Sequence, residues 1–373
     1  MASLALDTIR RVPKVVLHDH LDGGVRVETL AELAREAGDT DLPADDPERL
    51  AAWLAGATSA ASHDHGGHDP VIELLQSEQV LTRVAAEAVD DLAADGVVYA
   101  EVKIAPERHT AAGLTPAQVV AAVLAGVRVG AARARLFGHR IEVRLLLTAM
   151  RQAAHSMEIA DLAVRFRHQG VVGFDIAGPE HGYPPTRHIS ACEYVKRENF
   201  HLTLHAGEGF GLSSIWEAIQ WCGADRLGQS VRIVDDIAVA EDGTAKLGDL
   251  AAYIRDRRVP LELCPISNLR TGVVRSLEEH PVEVLRRLRF RVTVNTDARL
   301  LNQTSMTREF AALADTFGYT LTDLRWFTVN AMKSAFIGHD DRLELINSVI
   351  KPGYAAESVD RVRAAFFRGE DPW

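Results

Sequence analysis

Residues 141–177 of this chain read IEVRLLLTAMRQAAHSMEIADLAVRFRHQGVVGFDIA. The segments Ile141–Ala149 and Val171–Ala177 at its two ends are apolar and rich in β-branched residues, which is typical of buried strands. Between them, Met157–Gln169 has apolar residues at intervals of three and four, which predicts a helix. A strand, a helix and a second strand in this order predict two parallel strands joined by a crossover helix.

The same alternation continues in both directions from this segment. The other candidate strands are Val15–His20, Val97–Ala105, His201–Ala206, Arg226–Gly228, Pro260–Pro265 and Arg289–Thr296. The other candidate helices are Thr115–Phe137, Ser214–Cys222 and Leu247–Arg257, followed by a helical tail from Met306 that includes Leu321–Phe336 and Val359–Phe367. We therefore predict an α/β fold of the (β/α)8 TIM-barrel type with additional peripheral helices, and residues 1–373 as a single domain.

One helix start is predicted in more detail. The segment Ser214–Cys222 opens on a residue type that is favoured at helix N-caps, and Glu217 stands three residues later. This spacing predicts a capping box, with the Ser214 hydroxyl at the N-cap.

Composition excludes several classes of protein. The chain is 47% hydrophobic and 25% charged, as in ordinary globular proteins, and its formal net charge of −11 argues against nucleic acid as a partner. It has three cysteines, Cys192, Cys222 and Cys264, each beside apolar residues, which predicts buried thiols and a reducing compartment. No signal-peptide pattern or long apolar stretch occurs, so we expect a cytoplasmic protein that does not bind membranes. Oligomeric state is left open.

The segment Ala57–Pro70 has a different composition from its surroundings. It is rich in Ala, Ser and Gly and contains His63, His65 and His68. A His-rich tract can bind metal, but the glycine-rich context favours an exposed, mobile loop with at most incidental metal affinity. If this loop lies at the carboxyl ends of the barrel strands, it is placed to act as a lid.

Four residues at strand ends form a candidate metal site. His18 and His20 lie one residue apart at the end of the first predicted strand, so strand alternation directs both imidazoles to one side. His205 ends the fifth strand and Asp297 follows the eighth, and barrel active sites lie at this end of the strands. An isolated His-x-His pair can be two unrelated histidines, but residues from three strand ends together favour a catalytic metal. Three histidines and an aspartate suit Zn²⁺.

A zinc site of this kind predicts hydrolysis, because zinc lowers the pKa of bound water to about 7 and makes it a nucleophile. Glu208 stands three residues after His205, at the strand exit. A carboxylic acid there can protonate a ring nitrogen of a substrate while hydroxide attacks the adjacent carbon. The alternative for Glu208 is a structural partner within a loop.

Five segments resemble, in chain order, the signature motifs of the adenosine deaminase family of the metal-dependent amidohydrolase superfamily. They read LHDHLDG (17–23), GFDIAGPE (173–180), LHAGE (204–208), LCPISN (263–268) and VNTD (294–297). The resemblance covers nearly the whole chain, is closest to actinobacterial members, and is weakest over residues 51–79, where the family builds part of its substrate gate.

The resemblance implies a function and a role for each residue. The protein would be a zinc-dependent deaminase of adenosine or a modified purine nucleoside, with hydroxide attacking C6 and Glu208 protonating N1. Its metal ligands would be His18, His20, His205 and Asp297. Its substrate contacts would be His20, Asp22 at the ribose 5′-hydroxyl, the Gly178 N–H at purine N3, and position 298. The alternatives for Asp22 and Gly178 are turn residues with no contact to a ligand.

The chain departs from the family pattern at two site positions. The family's sixth strand carries Gly-His-Gly, in which the histidine holds and polarises the nucleophile, whereas residues 227–232 here read LGQSVR with Gln229 at that position. A glutamine amide can form hydrogen bonds but cannot take up a proton. After Asp297, relatives have Asp or Asn able to hold purine N7, whereas this chain has Ala298.

These departures leave three hypotheses open. The first is a working adenosine deaminase. The second is a nucleoside-binding protein with little or no activity, which regulates or sequesters its ligand. The third is an enzyme of specialised metabolism that uses zinc-assisted chemistry on another purine-like nucleoside. The complete ligand set and Glu208 favour the first, and Gln229 and Ala298 motivate the other two.

Overall fold

A barrel of eight parallel strands forms the centre of the molecule, in a computed structural model that describes residues 4–38, 42–43, 46–61, 69–240 and 244–368. Each strand pairs with the next one along the chain, as predicted for a TIM barrel. The strands are β1 (Lys14–His20), β2 (Val97–Ile104), β3 (Glu142–Met150), β4 (Val171–Ala177), β5 (His201–His205), β6 (Arg226–Gly228), β7 (Pro260–Leu263) and β8 (Arg291–Val294).

Backbone hydrogen bonds between β1 and the residues after β8 close the barrel, and both segments carry candidate metal ligands. The His20 N–H donates to the Asp297 carbonyl at 2.8 Å, and the Asp297 N–H donates to the His18 carbonyl at 2.9 Å. These two bonds join the end of β1 to the residues that follow β8. Closure of the barrel and assembly of the candidate site therefore depend on the same backbone contacts.

Helices surround the barrel, and the tail after β8 is helical, as predicted. The helices are Leu6–Arg11, Val27–Ala37, Pro47–Ala61, Pro70–Leu74, Glu78–Ala94, Pro116–Leu136, Ser156–Arg165, Ile189–Arg197, Leu212–Gln220, Asp249–Asp256, Pro265–Arg270, Val282–Arg287, Arg299–Asn302, Met306–Phe317, Leu321–Ser334, His339–Leu345 and Lys351–Arg368. A two-stranded antiparallel hairpin, Ile237–Val239 with Ala245–Leu247, is inserted between β6 and β7. Across these ranges no helix is both long and apolar enough to span a bilayer.

The predicted start and the predicted capping box of one helix are wrong. The helix predicted from Ser214 begins earlier, at Leu212, and its N-cap is Gly211 in a left-handed conformation with φ of 95°. Ser214 is instead a buried residue of the first turn, and Glu217 accepts a hydrogen bond from the Thr186 hydroxyl at 2.8 Å. Glycine adopts this backbone conformation without strain, so the chain enters the helix before the first polar capping residue.

The loop predicted over Ala57–Pro70 is shorter than expected at its first end. Residues 57–61 continue the helix Pro47–Ala61, and Asp69 caps the next helix by accepting hydrogen bonds from the N–H groups of Val71 and Ile72. Residues 62–68, which include the three histidines of this segment, lie outside the described residues.

Candidate active site

The ends of three strands bring the four predicted metal ligands together. His18, His20 and His205 each contribute one ring nitrogen, and these three nitrogens lie within 4.8 Å of one another. His18 Nε2 and His20 Nε2 are 3.3 Å apart, and Asp297 Oδ1 lies 3.5 Å from the first and 3.4 Å from the second. The three imidazoles thus converge in the barrel mouth, and the Asp297 carboxylate lies beside those of His18 and His20.

Two of these histidines are held from behind by carboxylates. His18 Nδ1 lies 2.8 Å from Glu262 Oε2, and His205 Nδ1 lies 3.1 Å from Asp175 Oδ1. An ionised carboxylate only accepts hydrogen bonds, so each Nδ1 carries a proton, and Nε2 is the atom that offers a lone pair when the ring is neutral. Carboxylate partners of this kind orient metal-binding histidines and increase their basicity.

Buried cations keep the two carboxylates ionised. Lys103 Nζ lies 3.2 Å from Asp175 and 3.5 Å from Glu262, and Arg226 Nε donates to Glu262 at 2.6 Å. Burial alone raises the pKa of a carboxyl group, but Lys103 and the neighbouring histidines outweigh it at Asp175, and Lys103 and Arg226 do so at Glu262. The pKa of each carboxyl is held well below its usual range. Arg226 also donates to Glu101 at 2.5 Å, so the barrel interior is a paired network.

The donor set fits a divalent transition metal. Asp297 Oδ2 accepts the Ser267 hydroxyl at 2.6 Å, which fixes the carboxylate and leaves Oδ1 beside the histidines. Burial lowers the pKa of His205 to about 3, so this ring is neutral and can bind a cation. At Gly228 a Cβ atom would lie only 2.9 Å from His18 Cε1, so a larger residue would displace this ligand.

Glu208 lies beside this cluster and is held in its neutral form. Burial, with smaller contributions from Asp297 and Glu180, raises the pKa of Glu208 to about 8. Its Oε1 is 3.4 Å from both Asn268 Nδ2 and Thr271 Oγ1. Glu180 accepts the Glu208 N–H at 3.3 Å and so holds the backbone of this segment. A carboxyl group that is protonated at neutral pH can act as a general acid.

Gln229 is also in this group of side chains. It follows β6 in a left-handed conformation with φ of 58°, and its N–H donates to the Glu262 carbonyl at 3.0 Å. The side chain is buried, and its Oε1 accepts from Asn268 Nδ2 at 2.9 Å. Gln229 and Glu208 thus share one amide donor.

The remaining predicted site residues lie at the same end of the barrel. Asp22 follows β1, and its carboxylate is 3.4 Å from Arg108 Nη1. Gly178 follows β4 with φ of 112°, a backbone conformation that favours glycine, and a Cβ atom there would lie 2.7 Å from Oε1 of the flexible Gln152 side chain. Ala298 directly follows Asp297 and is so close to Gly23 that a Cβ atom on Gly23 would lie 2.5 Å from the Ala298 Cβ.

Sequence reasoning gave no role to the residues that support these groups. They are Asp175, Arg226, Glu262, Ser267, Asn268 and His280. Lys103 and Glu101 were expected to form an ion pair inside the barrel, but Lys103 pairs with Asp175 and Glu262, and Glu101 with Arg226. The signal available in the sequence was the presence of ionisable residues on inward positions of apolar strands, as at Glu262 within Pro260–Leu263. For Asn268 and His280 no such signal exists, since both follow a strand in irregular or helical segments.

Behind Ser267, the fully buried Glu309 supports the same loop. It accepts the Ile266 N–H at 3.2 Å and the Thr304 hydroxyl at 2.9 Å, and burial raises its pKa to about 8. An unfolded glutamate ionises near pH 4.3, so the folded state loses stability as pH rises from there toward the folded pKa, by up to about 1.4 kcal/mol per pH unit.

We therefore expect Glu309→Gln to gain stability relative to the natural protein as pH rises from roughly 5.5 to 8, because glutamine has no proton to lose. Urea unfolding at several pH values measures the difference in the free energy of unfolding. Glu344→Gln, at an exposed position, serves as the control and should show no such trend. A pH-independent difference for Glu309→Gln would show that Glu309 is ionised in the folded protein.

The fold and site define a barrel enzyme of the amidohydrolase class. The sequence pattern of the family described as adenosine deaminase matches residues 13–352, and on this match the chain belongs to the adenosine deaminase family.

Individual relatives agree with this assignment. Adenosine deaminase 1 of Streptomyces coelicolor is 62% identical over 351 residues, covering 94% of this chain and 89% of the relative. An adenosine deaminase of Mycobacteroides abscessus is 58% identical over 356 residues, covering 95% and 98%. Among solved structures, an amidohydrolase from Burkholderia ambifaria with bound zinc superposes with a TM-score of 0.80 at 24% identity, over 96% of each chain. The predicted family and fold are confirmed.

Proposed function

We propose that this protein is a zinc-dependent hydrolytic deaminase that converts adenosine, or a modified purine nucleoside, and water to the 6-oxo nucleoside and ammonia. The observation that carries the proposal is the convergence of His18, His20, His205 and Asp297 beside the neutral carboxyl of Glu208. The high identity to adenosine deaminases over nearly the full length of both chains supports the choice of substrate.

The metal would be held by Nε2 of His18, His20 and His205 and by Oδ1 of Asp297. Zinc held there would make water nucleophilic at neutral pH, by lowering its pKa to near 7. The carboxylates behind His18 and His205 would orient both rings for binding the metal through Nε2.

Glu208 would hold a proton at its carboxyl group and deliver it to N1 of the purine as hydroxide, which has lost the other water proton to solvent, adds to C6. The proton of the new C6 hydroxyl would pass to the amino group, the C6–N bond would break to release ammonia and leave the 6-oxo group, and solvent would reprotonate Glu208. Asn268 and Thr271 limit the rotation of the Glu208 carboxyl through their contacts to Oε1.

Asp22, His20 and the Gly178 N–H would bind the nucleoside, with Asp22 at the ribose 5′-hydroxyl and Gly178 at purine N3. Burial raises the pKa of Asp22, but Arg108, His20 and His109 outweigh it, so the net pKa is lowered and the carboxylate is available as an acceptor. Ala298 offers no group to purine N7, so one hydrogen bond to the base is missing.

Activity measurement tests the proposal directly. Protein depleted of metal with a chelator and reconstituted with zinc should shift the ultraviolet spectrum of adenosine to that of inosine and release one ammonia per inosine, whereas the depleted protein should not. If zinc-loaded protein turns over neither adenosine nor any purine nucleoside tested, the proposal is wrong. Tight binding without turnover would then favour a nucleoside-binding protein.

A hydrogen-bond donor at position 298 should improve use of adenosine. We expect Ala298→Asn to raise kcat/KM by about 3- to 10-fold, since one added hydrogen bond is worth about 0.5–1.5 kcal/mol. Steady-state kinetics with adenosine and with 7-deazaadenosine, which lacks the N7 acceptor, separate this effect from packing. Ala298→Leu has a similar shape without the amide and is the control. An equal gain with the 7-deaza compound would contradict a contact to N7.

A further inference from the structure

A buried series of hydrogen bonds connects a backbone amide to the side chain of Gln229. The Val282 N–H donates to His280 Nδ1 at 3.1 Å, and His280 Nε2 lies 3.2 Å from Asn268 Oδ1. Asn268 Nδ2 lies 2.9 Å from Gln229 Oε1. All three side chains are almost fully buried, with at most 2% of their surface exposed. No water competes with these contacts, so their directions are fixed by donors and acceptors within the protein.

The direction of each bond follows from the one before it. A backbone N–H can only donate, so His280 Nδ1 must be an acceptor without a proton. Burial lowers the pKa of His280 to about 3, so the ring is neutral and its one proton is on Nε2. The Nε2–H group therefore donates to Asn268, and the atom of Asn268 that receives it must be Oδ1.

The same logic orients the two amides. With Oδ1 of Asn268 directed at His280, Nδ2 is the end that faces Gln229, and it must meet an oxygen. Gln229 therefore directs Oε1 at Asn268 and its NH₂ group elsewhere. In the described part of the chain this NH₂ group has no hydrogen-bond acceptor. The orientation of both amides therefore follows from the backbone N–H of Val282.

Gln229 lies next to the candidate active site. Gly228 precedes Gln229 and borders the ring of His18, since a Cβ atom there would lie 2.9 Å from His18 Cε1. On its other side, Gln229 shares the Asn268 donor with Glu208. Gln229 thus directly follows a residue that borders His18, and its amide is linked through Asn268 to the Glu208 carboxyl.

We propose that His280 is a positioning residue which, through Asn268, orients the Gln229 amide so that its NH₂ group faces the nucleophile. This inference rests on the proposed function. In this orientation Gln229 donates a hydrogen bond to an oxygen that carries negative charge, and it is not a proton acceptor. Without His280 the Asn268 amide is free to turn over, Gln229 turns with it, and a carbonyl oxygen replaces the NH₂ group.

Two substitutions at position 280 separate orientation from packing. Both His280→Phe and His280→Gln lose Nδ1 as the acceptor for Val282, but the glutamine retains an N–H that can donate to Asn268 Oδ1. We expect His280→Phe to lower kcat for adenosine by about 10- to 100-fold, as for loss of a hydrogen bond to a charged oxygen, with KM nearly unchanged. We expect His280→Gln to remain within about 3-fold of the natural protein, the range of a minor change in one hydrogen bond. In a Gln229→Leu background, which has no amide to orient, the two variants should have equal activity.

The tautomer of His280 provides a readout that needs no turnover. Long-range ¹H–¹⁵N correlation spectra of the natural, zinc-loaded protein should show His280 protonated at Nε2 and unprotonated at Nδ1, with His280→Gln used to assign the signal. A proton at Nδ1, or equal loss of kcat in His280→Phe and His280→Gln, would overturn the positioning role. Absence of adenosine turnover in every variant would count against the proposed function instead, and the tautomer measurement would still decide the inference.

Discussion

Replacing Gln229 with histidine is expected to raise kcat for adenosine deamination by about 10²- to 10⁴-fold. The amide of Gln229 forms hydrogen bonds but cannot take up or release a proton near neutral pH, whereas imidazole can. The motif that this segment resembles carries histidine at the same position. The proposed metal ligands and Glu208 are already present, so the substitution adds only a group that can accept a proton.

The proton can be accepted only if the ring nitrogen that faces the nucleophile is unprotonated. The other ring nitrogen then carries the proton and cannot accept from Asn268 Nδ2, which now donates to Gln229 Oε1 at 2.9 Å, so the Asn268 amide must turn over in this variant. The rate of inosine formation by the zinc-loaded variant measures the effect. Gln229→Leu, whose side chain can neither form hydrogen bonds nor take up a proton, is the control. Unchanged turnover in Gln229→His would show that the pocket no longer selects adenosine, which would favour another purine-like substrate.

Replacing Glu208 with glutamine is expected to lower kcat by about 10²- to 10⁴-fold while KM changes little, because the amide keeps the shape but has no proton to donate. Glu180→Gln is the matched control, since Glu180 contacts the same backbone segment from outside the reacting groups. A similar loss of kcat in both variants would assign Glu208 a structural role.

Glu208 also predicts a pH dependence. Burial raises its pKa to about 8, and a general acid acts in its protonated form. Activity should therefore fall as pH rises through the pKa of Glu208, at or below about pH 8, since a bound cation favours the ionised carboxylate. The fall should be absent from the residual activity of Glu208→Gln. If Glu208→Gln shows the same fall, another group is responsible for it.

The sequence was sufficient for the barrel because parallel strands that are buried on both faces are continuous apolar runs. Val171–Ala177 and Arg226–Gly228 match the strands of the structure at both ends, and the other predicted strands differ by a few residues. The proximity of the four proposed metal ligands could be predicted because they stand at strand ends, where the fold itself determines which side chains meet. His18, His20, His205 and Asp297 need no knowledge of loop structure to be placed together.

Other features depend on contacts between segments that are distant in sequence. Asn268 receives its orientation from His280 and passes it to Gln229, and neither neighbour can be identified from local pattern. The predicted N-cap of the helix Leu212–Gln220 is wrong because the residue at that position is Gly211, with a positive φ, and not a residue with a side-chain hydroxyl. Irregular backbone and buried polar contacts are set by tertiary packing, which has no periodic signature.

The metal centre is the part of this account on which every catalytic role depends, and anomalous X-ray scattering from crystals of zinc-loaded protein tests it most directly. Data collected on both sides of the zinc absorption edge should give one strong peak between Nε2 of His18, His20 and His205 and Oδ1 of Asp297, and the peak should vanish in His205→Ala. A peak elsewhere, for example at the histidines of residues 62–68, with none in the barrel mouth would contradict the account.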